Sequence, residues 1–287
     1  MSPSALSDNE VYMQVLPLGA PGSDDPTLVG AKAANLSRLA AYYNVPPGFV
    51  IPAVPADALP QPSFWPPVIE AYHALAADGH AVAVRSSALD EDSDSASFAG
   101  QHSTVLGVRG EDEFRAAVLE VLASAVTPAA LAYRAAHSLP AADIRMAILV
   151  QRLVAAEVSA VVFSQDVVHG DPDEVVINAT WGLGEPLVSG EVTPDTVRAS
   201  ALEFDVLRRE VADKTLMRVL TPDGLTTLPV PEALRRRPAL ADAQVAALAR
   251  LATDLERRMG APVDIECAFA GGALYLLQCR PITARAV

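Results

Sequence analysis

The chain has 287 residues, 51% of them hydrophobic and only 5% aromatic, with a formal net charge of −14. That length can hold one large domain or two lobes around a sizeable core. The acidity argues against a nucleic-acid partner, which would need a basic face, and disfavours anionic membrane surfaces; an anionic substrate requires local cations and a metal to offset the overall field.

No run of about 18 apolar residues, the length of a membrane span, is free of charge or proline; the nearest, residues 116–133, contains Glu120 and Pro128. The opening MSPSALSDNE lacks the basic and apolar regions of a signal peptide, so the expectation is a soluble cytoplasmic protein. Residues 11–16 read as a short strand or loop. Residues 28–43 predict a helix opened by Gly30, with Leu36, Leu39 and Ala40 on one face. Lys32 lies in its first turn, where the helix end already carries partial positive charge. It is either a solvated lysine with its stem laid along the surface, or part of an anion site.

NVPPGFVIP, residues 44–52, stops this helix and begins a strand. A proline-rich stretch and a helix over 67–78 follow. Residues 81–84 predict a buried strand ending at Arg85, Ser86 and Ser87, and strand ends are where open sheets place ligands. A guanidinium fork beside two hydroxyls suits a phosphate; the serines serve either as phosphate contacts or as caps. The acidic, serine-rich run 90–97 reads as a loop ending in a hinge at Ala99 and Gly100, either closing over a ligand or simply solvated.

Helices are predicted over 111–125 and 128–137, and short β-branched strands over 145–153 (with Gln151 near its end), 158–164 and 174–180. WGLGEPLVSGEVTPD, residues 181–195, is a glycine-rich loop, with strands predicted at 196–202 and 214–219. The helix over 241–259 aligns Val245, Leu248, Leu251, Leu255 and Met259, and is ended by Gly260 and Pro262. The best lobe boundary lies within 128–142. His73, His80, His102, His137 and His169 are scattered without metal spacing. Cys267 and Cys279 lack zinc spacing and read as reduced, partly buried thiols.

The closing stretch, APVDIECAFAGGALYLLQCRPIT, reads as two strands turning at Gly271 and Gly272. It sets Glu266, Gln278 and Arg280 among apolar residues, and burying such groups unpaired costs ~2–7 kcal/mol each. A metal-bound polyphosphate would supply the reason.

Six blocks in register carry a resemblance: LVGAKAANLSRLA with VPPGFVIP, VAVRSSALDEDSDSASFAGQHSTVLGV, ILVQRLVAAEVSAVVFSQD, VVINATWGLGEPLVSGEVTPD and VDIECAFAGGALYLLQCRPIT. Together the chain resembles the nucleotide-binding domain of phosphoenolpyruvate synthase, pyruvate phosphate dikinase and rifampin phosphotransferase. The resemblance implies an α/β (α+β) ATP-grasp fold whose two lobes, residues 1–140 and 141–287, hold ATP between their sheets. It implies that Lys32 and Arg85 hold phosphates from the first lobe and that Gly100 and Thr104 belong to the covering loop. Gln151, on a second-lobe strand, lies by the adenine, with the backbone near Leu153 reading the base edge. Glu266 and Gln278 supply oxygens to Mg2+, and Arg280 reaches the phosphates being cleaved. Lys32, Arg85 and Arg280 are thus the catalytic set. The glycine-rich opening of the family is Gly30-Ala31-Lys32-Ala33 here, Ala160 replaces a usual glycine, and the segment between VPPGFVIP and VAVRSS is short.

In this family the β-phosphoryl group of Mg-ATP passes to a histidine on a swivelling domain, leaving AMP and inorganic phosphate. The sequence contains no such histidine motif, so the expectation is an ATP-binding subunit that phosphorylates a histidine on a separate partner protein, a split arrangement known in phenylphosphate synthase. The alternatives are an ATP-grasp kinase or ligase acting directly on a small molecule, and a non-catalytic nucleotide-binding module.

The implied metal pair constrains the closing hairpin. Side chains alternate along a strand, so a two-residue turn would pair Glu266 with Leu277. A three-residue loop over 271–273 would instead set Glu266 opposite Gln278, with Arg280 on the same side and both cysteines towards the core.

Overall fold

A computed structural model describes residues 15–56, 60–89, 103–136, 144–166 and 170–282. The expected strand start at 11–14, the acidic loop with Gly100, and His102, His137 and His169 lie outside the described residues. Helices and antiparallel sheets are mixed in an α+β fold. The chain divides into two compact units, Met1–Leu153 and Val154–Val287.

The first unit is built on a five-stranded antiparallel sheet in the order β1 (Leu16–Pro17), β2 (Gly48–Pro55), β5 (Arg145–Arg152), β3 (Val82–Ala88) and β4 (Thr104–Val108). The first unit extends through β5 to Leu153, where the sequence set the lobe limit at 140. The β5 residues Met146, Ile148 and Val150 are wholly buried with Ile51 and Val84, so this central strand belongs to the first unit, and Gln151 with it. On that face, helix α2 (Trp65–Leu75) contributes Val68 and Tyr72, and α3 (Glu111–Ser124) contributes Phe114, Val118 and Val121. Tyr72 stacks on Phe114 with ring centroids 4.3 Å apart. The run Glu111–Ala136 is long and apolar enough to cross a bilayer. The structure breaks it at residues 125–127 into α3 and α4 (Pro128–Ala136) and buries one stripe of α3 in this core.

The other face of the sheet is covered by α1 (Pro26–Leu39), which buries Val29, Ala33 and Leu36. Asp25 caps its first turn by accepting from Thr27 N at 2.9 Å, and these Thr27 hydrogen bonds hold the Asp25 carboxyl below its usual range. The helix is interrupted at Gly30, whose φ of 72° belongs to the left-handed side of the map.

In the second unit a six-stranded antiparallel sheet runs in the order β13 (Ala273–Pro281), β12 (Val263–Ala270), β6 (Val158–Phe163), β7 (Glu174–Trp181), β8 (Asp195–Ser200) and β9 (Val206–Glu210). Helix α5 (Glu185–Val188) is a single turn after β7, and β10 (Leu216–Thr221) pairs with β11 (Gly224–Pro229) as a separate hairpin. After α6 (Glu232–Arg235), the long helix α7 (Asp242–Met259) lies on one face of the large sheet. Its buried stripe is Val245, Leu248, Ala249, Ala252 and Leu255, all at helical spacing. Leu251 and Met259, expected in the stripe, are half-buried at its margins. Gly260 adopts the left-handed C-cap (φ 70°) that its position predicts.

A fully buried ion pair pins the start of β8. Asp195 accepts from Lys214 Nζ at 2.5 Å, Ala212 N at 2.9 Å and Ala239 N at 2.7 Å. One carboxylate thereby joins β8 to the segments that precede β10 and α7 through three hydrogen bonds. Removing Lys214 would leave the charge buried and unmatched.

Neither Cys267 nor Cys279 is in a disulfide, and each is 1% exposed or less. Burial pushes the Cys279 thiol up to about 12 and Cys267 higher still. An aromatic disulfide reagent at neutral pH should therefore label neither thiol in the native protein, and both once urea unfolds it. Fast labelling of native protein would contradict this packing.

Candidate functional site

The first unit brings its predicted residues to the α1 side of the sheet. Arg85 and Thr104 are direct cross-strand partners, Arg85 also faces Leu149, and Gln151 lies opposite Ala83 on one side and Gly48 on the other. Alternation along β3 and β5 therefore puts Arg85, Ser87 and Gln151 on one face. Gln151 is 3% exposed and its Nε2 donates to Pro46 O at 3.3 Å. Leu153 N donates to Ala81 O at 2.9 Å just past the end of β5. Gly100 lies outside the described residues.

Lys32 is only 9% exposed, and its Nζ donates to Ser86 O at 3.1 Å. It is therefore not a lysine spread along the surface. What holds it is the break at Gly30. The Ser87 hydroxyl donates to Val29 O at 2.6 Å and accepts from Ala33 N at 3.1 Å. It replaces the cap that Gly30, lacking a side chain, cannot provide for the first turn. A Cβ at Gly30 would lie 2.3 Å from Ser87 O, so only glycine permits this approach. Ser87 is thus a clamp on the helix start, and Ser86 contributes its carbonyl to Lys32.

In the second unit, Glu266 and Gln278 stand directly opposite one another, and Asp264 stands opposite Arg280. The opposition arises differently from the three-residue loop expected above. The turn is the two-residue Gly271-Gly272 form (φ 55° and 78°), with Ala270 paired to Ala273. The parity changes at a bulge: Cys267 pairs with Leu276 and Glu266 with Gln278, leaving Leu277 as the extra residue. A strictly alternating strand would set Leu277 opposite Glu266 and turn Gln278 into the core. With the bulge, Asp264, Glu266, Gln278 and Arg280 share the face away from α7, and the two cysteines lie in the core.

Arg280 donates to Asp264 Oδ2 through Nε at 2.9 Å and Nη2 at 2.7 Å. Burial pushes the Asp264 carboxyl above its usual range, Arg280 opposes this, and Glu266 adds to it. Asp264 was missed in the sequence. Its signal was present, since it lies two residues before Glu266 and so on the same side of β12. No group of three or more His, Cys, Asp or Glu that could hold a metal occurs among the described residues. One carboxylate and one amide oxygen still fit Mg2+, which takes few protein oxygens and fills the rest of its octahedron with phosphate and water.

The glycine-rich loop after β7 also acquires a placement. Gly182 (φ 76°) forms an isolated bridge with Arg218, and a Cβ there would meet Arg218 O at 2.3 Å. Glu185, at the start of α5, pairs with Arg218 at 3.1 Å. Trp181 Nε1 donates to Leu234 O at 3.2 Å.

Residues 60–286 match the family described as the pyruvate phosphate dikinase AMP/ATP-binding domain; Lys32 lies ahead of the matched region. A probable phosphoenolpyruvate synthase of Methanocaldococcus jannaschii is 38% identical over 221 residues, 75% of this chain and 19% of that protein. An uncharacterised phosphotransferase of Bacillus subtilis, YvkC, is 35% identical over 278 residues, 89% of this chain and 33% of the relative. The prodigiosin-synthesizing transferase PigC of Serratia marcescens is 40% identical over 210 residues, 73% and 23% of the two chains. The chain thus spans a third or less of these relatives. It is a nucleotide-binding domain by class, and it belongs to the pyruvate phosphate dikinase AMP/ATP-binding family.

Two variants test this geometry. Ser87→Ala should lower stability by about 1–3 kcal/mol, because Val29 O and Ala33 N are left buried without partners; urea denaturation reads the change, and a wild-type midpoint would remove the clamp. Asp264 binds its proton more tightly folded than unfolded. Its stabilising contribution is therefore present below the unfolded carboxylate pKa and lost as pH rises through the raised folded value. The stability of Asp264→Asn relative to wild type should rise between pH 4 and pH 7, measured by urea midpoints at each pH.

Proposed function

We propose that this domain binds Mg-ATP and transfers its β-phosphoryl group to a histidine on a separate partner protein, with AMP and inorganic phosphate as the other products. The observation that carries the reading is the bulge-set opposition of Glu266 and Gln278, with Arg280 two residues further along the same face. Two hard oxygen donors beside a guanidinium suit a metal-bound phosphate. Family membership supports nucleotide binding, and relatives named phosphoenolpyruvate synthase and phosphotransferase support ATP-dependent phosphoryl transfer. The matched region is a minor part of those relatives.

In this reading each unit contributes nucleotide-binding groups. Lys32, fixed by the Ser87 clamp and the Ser86 carbonyl, and Arg85, beside Thr104, hold phosphate oxygens. Gln151 and the backbone at Leu153 take the adenine. Glu266 and Gln278 hold the magnesium ion, which neutralises phosphate charge when bound. Arg280, oriented by Asp264, presents its remaining donors to the phosphoryl group in transit. Phosphoryl transfer demands chiefly such positioning and charge neutralisation. The domain works in the cytoplasm.

Labelled ATP tests the proposal. The protein is incubated with magnesium and ATP labelled at the β or γ position, with and without cell lysate. The expected result is AMP and inorganic phosphate, with the β-label on a histidine of a lysate protein. ADP as product, or turnover that needs only a small molecule, overturns the proposal in favour of a direct kinase or ligase. Glu266→Ala and Arg280→Ala should each reduce turnover by about a hundredfold or more, the scale set by losing one charged transition-state contact, while circular dichroism stays native. Wild-type turnover in both would remove the metal and phosphate roles.

A further inference from the structure

An open, shallow cleft lies within the second unit, on the α7 side of the large sheet and so opposite the face bearing Glu266 and Gln278. Its volume is about 580 Å³, and its lining includes Val158, Trp181, Arg209, Arg237, Leu240 and Gln244. That volume is in the usual range for small-molecule sites. Val158 and Trp181 are cross-strand partners, and Val158 and Leu240, 4% and 2% exposed, give it an apolar floor. The indole is held in place by its bond to Leu234 O.

The polar rim is rich in donors. Arg209 gives one bond to Asp242 at 2.8 Å, but its buried Nε has no hydrogen-bond partner among the described residues. A buried donor left in that state calls for a ligand or water. Arg237 closes the run Arg235-Arg236-Arg237. Its two neighbours are both tied to Asp213, at 2.8 Å and 3.0 Å, whereas Arg237 makes no ion pair among the described residues. Gln244 accepts from Ala241 N through Oε1, leaving its amide as a donor. The one carboxylate on the rim, Glu157, already accepts from Gly271 N at 3.1 Å. A net charge of −14 makes an uncommitted arginine over an apolar floor a local exception.

We propose that this cavity binds a small planar organic anion, with its apolar body against Trp181, Val158 and Leu240 and its anionic group at Arg209 and Arg237. The site is separate from the nucleotide site and does not depend on the function proposed above.

The test uses the full chain carrying Trp65→Phe, which leaves Trp181 as the only tryptophan, and 8-anilinonaphthalene-1-sulfonate as probe. The expected result is saturable quenching of Trp181 at one probe per chain, unchanged by saturating Mg-ATP. Arg237→Glu, a change at an exposed position, should weaken binding about tenfold or more, the scale of one charge-assisted contact, without altering the melting temperature. The neutral 1-anilinonaphthalene should bind correspondingly worse. Absent or non-saturating quenching, equal affinity for the neutral probe, or wild-type affinity in Arg237→Glu overturns the anion site. Displacement of the probe by Mg-ATP overturns its separateness from the nucleotide site.

Discussion

The alternation of side chains across a strand is the constraint on which everything else in this molecule rests. Each sheet has one face packed into a core, under α2 and α3 in the first unit and under α7 in the second. The opposite face bears the groups capable of chemistry. A residue's parity therefore decides which of the two faces it serves. In β3 and β5 the parity is regular, and Arg85, Ser87 and Gln151 share a face without any device. In β13 it is not, and a single unpaired residue, Leu277, converts an arrangement that would bury Gln278 into one that sets it against Glu266. The bulge acts locally, but it reassigns both the core residues and the exposed residues on the far side of it.

A second requirement is to hold polar groups where the backbone cannot. Gly30 breaks α1, and a broken helix leaves main-chain donors and acceptors unmatched in a buried place. Ser87 satisfies one of each from a neighbouring strand, so the position of Lys32 is set by tertiary contact rather than by helix continuity. Asp195 does similar work in the second unit, using one buried carboxylate to gather three chain segments. Both devices make the local geometry depend on residues distant in sequence.

That dependence explains what the sequence disclosed. Periodicity marked the long helix α7, its cap at Gly260 and most strands, because those features are local. The candidate site residues were legible through motif blocks, and the serine pair after Arg85 was noticed without its role. Assigning β5 to its sheet was beyond local reading, since an apolar strand flanked by loops fits either unit and only pairing with Gly48 and Ala83 decides. The bulge was hidden for the same reason. Counting residues required Glu266 and Gln278 to meet through an odd loop, and nothing in ALYLLQCRP distinguishes an extra residue at the turn from one further down the strand. Asp264 escaped because its partner, Arg280, already had a function to explain its presence.

The location of that extra residue has an evolutionary consequence. The turn residues Gly271 and Gly272 are exposed, and a Cβ on either would meet nothing within 4 Å. β12 is held along its other edge by β6, from Phe269 against Val158 to Asp264 against Phe163. The hairpin tip and the reactive face are therefore uncoupled. Descendants of this chain are free to lengthen or shorten the tip while every residue beyond the bulge keeps its orientation. Had the offset been stored in the loop, each insertion of one residue there would have turned the site inside out.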